Sequence, residues 1–317
     1  MMKANIIKSI LITAFLFAAT ATAECQIEMS FTKSFIDSIK DKISITIDYN
    51  LYNANDKNVE TCSSMNTGKG QSVRYSKKDK DLILSGGNEY IGLPIVTRIF
   101  NAKFDQKAID LISKNKSKRI NITGVWRIWC DYFGNDIFTQ GLTNEHATSY
   151  NPEHVFEMTP ALKINDITLD GYNEEIRVQR ITDAETAFEK YSTTKTQINI
   201  TDSIVTLTIH GVDGGFVDFF IKITGIQEVK NDGRVLLCNV YDKEDKLLYK
   251  NLRTIFIKDT EAEKTVRNLR NGERLRVLGI PRISLNEIYD RIKISEINTN
   301  VKSGSLPVEM VIISLLN

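Results

Sequence analysis

The sequence RLRVLGIPRI at Arg274–Ile283 is the clearest indication of the fold, because the similar sequence RINITGVWRI occupies Arg119–Ile128. At one fixed offset, Gly124 aligns with Gly279 and Arg127 aligns with Arg282. Apolar residues alternate with other residues at the start of each stretch, which is typical of a strand with one buried face. The chain therefore contains a weak internal repeat whose most similar part is a strand.

The repeat extends upstream of these two strands. The same offset aligns Arg98 with Arg253, and an amphipathic helix is predicted between that arginine and the later strand in each copy. The first helix carries Phe104, Ala108, Leu111 and Ile112, and the second carries Ala262, Val266 and Leu269 after the capping pair Asp259-Thr260. Each copy thus contains a strand, an acidic turn, a helix, a basic turn and a strand.

Short strands are predicted over most of the remaining chain. Strict alternation marks Ile43–Leu51, Val205–Ile209 and Val217–Ile223, Asp232-Gly233 is a hairpin signal, and Val235–Tyr241, Leu247–Ile257 and Val308–Leu316 are further apolar strands. A third helix is predicted at Asp183–Tyr191, with Ala184, Ala187, Phe188 and Tyr191 on one face.

The element order of the second copy, over about 216–316, is three meandering strands, a helix, a strand and a final strand. This order resembles the OB-fold, a five-stranded Greek-key barrel, and the region 40–165 resembles it less closely. The resemblance implies a mainly β protein of two OB-like barrels that bind through a sheet face and its flanking loops. We predict an N-terminal domain at 24–165, a connector with a short helix at 166–200 and a C-terminal domain at 201–317.

The first 23 residues have the layout of a secretory signal, with an uncleaved anchor as the alternative. Lys3 and Lys8 precede the uncharged apolar run Ile10–Ala19, and Ala21-Thr22-Ala23 forms a cleavage site before Glu24. The apolar run is too short to span a bilayer of roughly 30 Å. We therefore expect a periplasmic or secreted protein with no integral membrane segment after cleavage.

Four cysteines remain after that cleavage, an even number that fits an oxidising compartment. They allow three complete pairings, among which the sequence does not choose, and Cys25 with Cys62 is the pair closest along the chain. We predict that this pair forms a disulfide. Cys130 and Cys238 fall in apolar strands, where buried free thiols are common.

The candidate binding residues surround the sequence WRIWCDY. Strand alternation directs Trp126 and Ile128 into the barrel and directs Arg127, Trp129 and Asp131 to its outer face. An exposed tryptophan beside an arginine can stack on a ring or pair with an anion, so we predict a ligand-binding surface that also includes His154 and the repeated Arg282. The alternative is that Trp129 packs against the other domain and Arg127 pairs with an acid.

His154 and Glu157 form a tempting H-x-x-E pair, but a strand would place them on opposite faces. His154 is therefore expected to be a hydrogen-bonded structural residue more than a metal ligand, and no metal site is predicted. The sequence lacks the G-x-S-x-G, P-loop, G-x-G-x-x-G and H-E-x-x-H motifs, so we predict no cofactor.

Composition sets the remaining limits on function. Apolar residues make up 42% and charged residues 26% of the chain, which excludes a disordered tail and a polytopic membrane protein. Lys plus Arg is 41 against 40 Asp plus Glu, which argues against nucleic acid as a partner. We expect an exported, non-enzymatic protein that binds an envelope ligand or protein through a sheet face or interdomain cleft. The alternative is a hydrolase of envelope or extracellular material that uses acids and His154.

Overall fold

A computed structural model of the chain describes residues 26–54, 59–61, 74–76, 80–115, 118–129, 137–142, 151–173, 176–178, 180–210, 215–225, 228–269, 272–295 and 301–316. The predicted signal at 1–23 lies outside these residues, as do Cys25, Cys62, Cys130 and Asp131. None of the helices in the described ranges is long and apolar enough to cross a membrane.

Strands dominate the described residues. They are β1 (Gln26–Thr32), β2 (Ser44–Ala54), β3 (Val59–Thr61), β4 (Arg74–Ser76), β5 (Leu82–Gly87), β6 (Ile95–Ile99), β7 (Arg119–Ile128), β8 (Ile137–Thr139), β9 (Phe156–Ile164), β10 (Ile167–Thr168), β11 (Ile181–Asp183), β12 (Lys195–Thr201), β13 (Ile204–His210), β14 (Phe216–Ile223), β15 (Glu228–Lys230), β16 (Gly233–Tyr241), β17 (Leu247–Ile257), β18 (Arg274–Ile283), β19 (Val301–Ser305) and β20 (Val308–Leu315). The helices are α1 (Lys33–Ile39), α2 (Gln106–Lys114), α3 (Ala184–Thr193), α4 (Glu261–Asn268) and α5 (Leu285–Ser295).

The first repeat copy forms a closed five-stranded barrel. Its strands neighbour one another in the order β9-β6-β5-β2-β7, and pairing of β7 with β9 closes the ring. The β6–β9 pair is parallel and the other pairs are antiparallel. With α2 between β6 and β7, this is the Greek-key order of an OB-fold.

The second copy repeats this topology with β14, β16, β17, β18 and β20. Its only parallel pair is β17–β20, and α4 lies between β17 and β18. The predicted fold class, a mainly β protein with two OB-like barrels, is confirmed. We call the first copy barrel 1 and the second barrel 2.

Strand registers test the repeat residue by residue. Asn50 lies opposite Arg119 in barrel 1, and Lys222 lies opposite Arg274 in barrel 2, so the predicted Arg119–Arg274 correspondence holds. The correspondence of Arg98 with Arg253 is wrong. Thr97 lies opposite Met158 in barrel 1, and Thr254 lies opposite Met310 in barrel 2, so Thr97 and Thr254 are equivalent. The residue equivalent to Arg253 is therefore Val96, one position before Thr97.

A third sheet has the strand order β19-β12-β13-β1-β8 and includes one strand from a loop connection of each barrel. β8 comes from the connection between the last two strands of barrel 1, and β19 comes from the same connection in barrel 2. β12 begins inside the predicted connector at 166–200 and pairs with β13 beyond it. The predicted domain boundaries stay predictions, and the shared sheet was not predicted.

The three predicted helices are present as α2, α3 and α4. Asp183 caps α3 and Thr260 caps α4, each by accepting a hydrogen bond from a backbone N–H of the first turn. Phe104 lies before α2 and is 49% exposed, so it does not belong to that helix face. The predictions missed α1 and α5.

Candidate functional site

Two buried ion pairs occupy equivalent positions in the two barrels. Arg127 on β7 lies opposite Glu157 on β9, with 3.0 Å between Nη1 and Oε1. Arg282 on β18 lies opposite Glu309 on β20, with 2.7 Å between Nε and Oε1. The internal repeat therefore preserves a buried arginine and its glutamate partner across the last two strands of each barrel.

Each arginine also crosses to the other barrel. Arg127 Nε donates to the backbone oxygen of Pro281 at 2.7 Å, and Arg282 Nη1 donates to that of Trp126 at 3.2 Å. The Arg282 guanidinium lies 3.7 Å from the centre of the Trp126 ring. Because the acceptors immediately precede the equivalent arginines, the two strands cross in a pseudo-symmetric manner at this point.

The prediction that Arg127 and Trp129 form an exposed outer surface is wrong. Arg127 is 2% exposed and Trp129 is 3% exposed, because the other barrel covers the first and α3 covers the second. The Trp129 ring meets Tyr191 of α3 edge-on, with 5.5 Å between centroids. The alternative considered above therefore holds for Arg127, which pairs with an acid, whereas Trp129 packs against a helix of the predicted connector and not against the C-terminal domain. Arg282 is also buried. The ligand-binding role predicted for these residues stays a prediction.

The ion pair of barrel 2 extends into a chain of alternating charges. Glu309, 1% exposed, binds Arg282 through Oε1 and Arg253 through Oε2, and Arg253 also pairs with Glu228. Burial lowers the pKa of the Arg282 guanidinium, although Glu309 opposes that change. Burial would also lower the pKa of Arg253, but attraction to Glu309 and Glu228 raises it overall.

His154 and Glu157 come together, contrary to the prediction that a strand separates them. β9 begins only at Phe156, so His154 lies in the preceding loop and its Nε2 approaches Glu157 Oε1 at 3.0 Å. The other ring nitrogen, Nδ1, lies 2.7 Å from the backbone oxygen of Pro152. The predicted structural role of His154 as a hydrogen-bonded residue is confirmed. The imidazole is only 4% exposed and is therefore enclosed within the part of the protein that the structure describes.

Metal-ligating side chains do not converge in the part of the chain that the structure describes. No group of three or more His, Cys, Asp or Glu residues there could hold an ion. Asp131 and the predicted Cys25–Cys62 disulfide lie outside the described ranges. Cys238 is a buried free thiol, as its apolar strand predicted.

An exposed surface of different composition lies on the outside of barrel 2, where β14 runs between β16 and β18. Alternation along β14 buries Phe219 and Ile221 and turns Phe220 outward. We call this surface the cation–aromatic face, and it consists of Phe220, Lys222, Tyr241, Arg274 and Arg276. Phe220 lies opposite Tyr241 on one neighbouring strand and opposite Arg276 on the other.

Cations surround both rings of this face. The Arg274 guanidinium lies 3.7 Å from the centre of the Phe220 ring, and the Lys222 ammonium lies 4.5 Å from that of Tyr241. Arg276 reaches Asp218 through two hydrogen bonds, and Lys222 pairs with Asp245 at 3.1 Å. These side chains are partly exposed, unlike the arginines between the barrels.

The equivalent positions of barrel 1 lack this composition. The strand registers place Asp48 where barrel 2 has Phe220, Asn50 where it has Lys222, Asn121 where it has Arg276 and Arg119 where it has Arg274. There Arg119 pairs with Asp48 at 3.3 Å. Of the two equivalent faces, only that of barrel 2 combines an aromatic ring with three cations.

Sequence reasoning missed the cation–aromatic face although its residues stand in predicted strands. Phe219-Phe220 reads as a continuous apolar pair, and only the register with β16 and β18 brings Tyr241 and Arg276 beside Phe220. An outward aromatic in the alternating pattern Val217–Ile223 was the available signal.

No protein-family model matches the chain, and no curated protein matches it. Solved structures with weak similarity include one described as "Structural mimicry for functional antagonism", at 11% identity and a TM-score of 0.21, covering 87% of this chain and 95% of that one. The HINa domain of Ifi202 with a 20-bp dsDNA has 12% identity, a TM-score of 0.18 and coverages of 75% and 88%. A replication protein A heterotrimer bound to ssDNA has 9% identity, a TM-score of 0.19 and coverages of 75% and 44%.

The prediction that nucleic acid is an unlikely partner is contradicted. Two of these weakly similar chains were solved with DNA. The physical reason is that net charge averages over the whole surface, whereas a ligand meets one face. Similarities at these TM-scores carry no argument about the ligand of this chain, which has to be derived from its own surface.

Proposed function

We propose that this chain is an exported, non-enzymatic binding protein that contacts its ligand through the cation–aromatic face of barrel 2. The observation that carries the proposal is the difference between two otherwise equivalent surfaces. Barrel 1 has Asp48, Asn50 and Asn121 where barrel 2 has Phe220, Lys222 and Arg276. Exposed aromatic and arginine side chains together are typical of binding surfaces.

The interior of the molecule supports a rigid scaffold behind that face. The reciprocal arginine bonds join β7 to β18, and β18 carries Arg274 and Arg276 at its opposite, exposed end. A face built on strands holds its side chains more accurately than one built on loops.

The buried position of His154 favours binding over hydrolysis. A hydrolase of the kind considered above needs its acid–histidine pair open to substrate. Here the imidazole is 4% exposed, and both of its nitrogens lie within hydrogen-bonding distance of other groups. We therefore do not propose the hydrolase.

Export rests on the sequence of residues 1–23. It is tested by the mass of the protein recovered outside the cytoplasm of the producing cell. The expected amino terminus is Glu24, and recovery of the full chain in the cytoplasm would contradict export.

The binding role is tested by photocrosslinking with the mature chain. Tyr241 is replaced by benzoylphenylalanine, and the matched control carries the same group at Asn121, on the outer face of barrel 1. Both proteins are irradiated in a concentrated extract of the producing cell, and adducts are identified by mass spectrometry. Adducts specific to position 241 support the proposal. Equal adducts at both positions, or none at 241, would overturn it.

A further inference from the structure

We propose that the cation–aromatic face takes a ligand in which an anionic group lies beside a planar ring. This inference rests on the proposed function and specifies the ligand class of the same face.

The rings offer a contact area for a planar group. Phe220 and Tyr241 are direct partners on neighbouring strands, so their side chains start about 5 Å apart on the same face. Both are half-buried, with their bodies supported by the sheet and their outer parts accessible. Aromatic pairs of this kind favour a further ring in stacked or edge-on contact.

The donors beside the rings suit an oxyanion. Arg274 lies over the Phe220 ring, and a stacked guanidinium keeps the N–H groups of its plane available for hydrogen bonds. One of them reaches the backbone oxygen of Asp242. Lys222 and Arg274 both approach the single carboxylate of Asp245, at 3.1 and 3.8 Å. Arg276 pairs with Asp218, so the three cations of this face contact the carboxylates of Asp245 and Asp218.

These ion pairs can exchange an internal carboxylate for one from a ligand. The two side chains are 41% and 24% exposed in the Arg276–Asp218 pair and 27% and 52% exposed in the Lys222–Asp245 pair. Both pairs are open to solvent, where ion pairs contribute little to stability. A phosphate or carboxylate that binds Arg276 in place of Asp218 therefore costs the protein little folding stability. Arginine favours such groups because its fork of donors matches two oxygens at once.

Mononucleotides, single-stranded nucleic acid and aromatic carboxylic acids all present this chemistry. The experiment therefore compares probes on the mature full-length chain by calorimetry at low salt. Adenosine 5′-monophosphate carries ring and charge, adenosine carries the ring, inorganic phosphate carries the charge, and phenylpyruvate and a short oligothymidylate represent the other two sources.

We expect at least one of the three ringed anions to bind at least tenfold more tightly than both adenosine and phosphate. Arg274→Gln should weaken that binding about tenfold, or about 1.4 kcal/mol, because it removes a charged hydrogen-bond donor. Phe220→Leu should weaken it about tenfold because it removes a ring on which the ligand stacks. The matched control Arg119→Gln in barrel 1 should bind like wild type. Urea midpoints within error of wild type verify that each variant is folded.

Three results would overturn the ligand class. The first is that phosphate alone binds as tightly as every ringed anion, the second is that no ringed anion binds, and the third is that Arg119→Gln reduces binding as much as Arg274→Gln. Adducts at position 241 would still support the proposed function in those cases, so the two failures are distinguishable.

Discussion

Arg127 donates a 2.7 Å hydrogen bond to the backbone oxygen of Pro281, the residue that precedes the equivalent arginine of the other barrel. Arg282 returns the contact to Trp126. The repeated Arg-Ile ending of the two similar sequence stretches is therefore explained by the junction between the barrels. Each arginine neutralises a glutamate of its own barrel and satisfies a carbonyl group of the other.

The Arg282–Glu309 pair gives a first prediction. Glu309→Leu leaves the Arg282 guanidinium buried without its nearest carboxylate, and we expect the free energy of unfolding to fall by about 3–5 kcal/mol. The double variant Arg282→Met/Glu309→Leu buries no uncompensated charge at this pair and should be more stable than Glu309→Leu alone. Urea unfolding of both variants measures the difference.

A control for that prediction uses an exposed pair. Asp218→Asn removes the carboxylate that binds Arg276, which is 41% exposed, and should cost less than about 1 kcal/mol. The buried pair is also tested for coupling. If the loss of unfolding free energy in Arg282→Met/Glu309→Leu equals the sum of the losses in Arg282→Met and Glu309→Leu, the two side chains are not coupled, and the burial of an uncompensated charge does not explain the result.

The pH dependence of stability gives a second prediction. Hydrogen bonds from Arg267, and to a smaller extent from Arg234, lower the pKa of Glu263 in α4 below the ordinary value of a glutamate side chain. A carboxyl group with a lowered pKa stabilises the folded state above its unfolded pKa, and that stabilisation is lost as the pH falls through the folded value. Glu263→Gln should therefore destabilise the protein at pH 7 and make little difference near pH 2.

Chemical denaturation at both pH values tests this prediction. At pH 7 the expected loss is roughly 1.5–3 kcal/mol, because both partners of Glu263 are charged donors. Glu261→Gln in the same first turn is the control, because that side chain is exposed and makes none of these bonds in the described structure. An equal loss for Glu263→Gln at both pH values would show that the carboxylate charge is not responsible.

The barrels could be predicted from the sequence because their information is local. Alternation in Val217–Ile223, the Asp232-Gly233 hairpin and the capped helix after Asp259-Thr260 each specify one element, and their order is enough to suggest the topology. The helix α5 was missed although Leu285, Ile288 and Ile292 have helical spacing and are buried. It interrupts the connection between β18 and β20, where the resemblance leads one to expect a loop.

The candidate site could not be predicted because it depends on contacts between distant segments. Alternation correctly separates Arg127 from its neighbours on β7, but alternation does not show that another barrel covers the outer face. Arg127 is buried because β18 of the other barrel lies against it, and its hydrogen bond goes to Pro281, a residue far along the chain. The cation–aromatic face was missed for another reason. Its cations and rings come from three strands, which sequence reasoning treated separately.

The cysteines give a third prediction. Burial raises the pKa of the Cys238 thiol to about 12, so the reactive thiolate is scarce at pH 8. Native mature protein treated with iodoacetamide should therefore leave Cys238 unmodified, and denatured protein should be labelled there completely. Peptide mapping without reduction should also recover the predicted Cys25–Cys62 linked peptide. Rapid labelling of Cys238 in native protein would contradict its burial.

The two tryptophans give a matched final prediction, because both are buried but only one donates a hydrogen bond. Trp126 Nε1 donates to the backbone oxygen of Lys42 at 2.7 Å, whereas Trp129 Nε1 has no hydrogen-bond partner among the described residues. Trp129→Phe removes an unsatisfied donor and keeps an aromatic ring, so we expect a cost below about 1.5 kcal/mol. Trp126→Phe also removes a hydrogen bond and changes the ring on which Arg282 stacks, and should cost more. Urea unfolding of the two variants compares these costs directly, and a Trp129→Phe variant less stable than Trp126→Phe would mean that the Trp129 indole N–H is satisfied in solution.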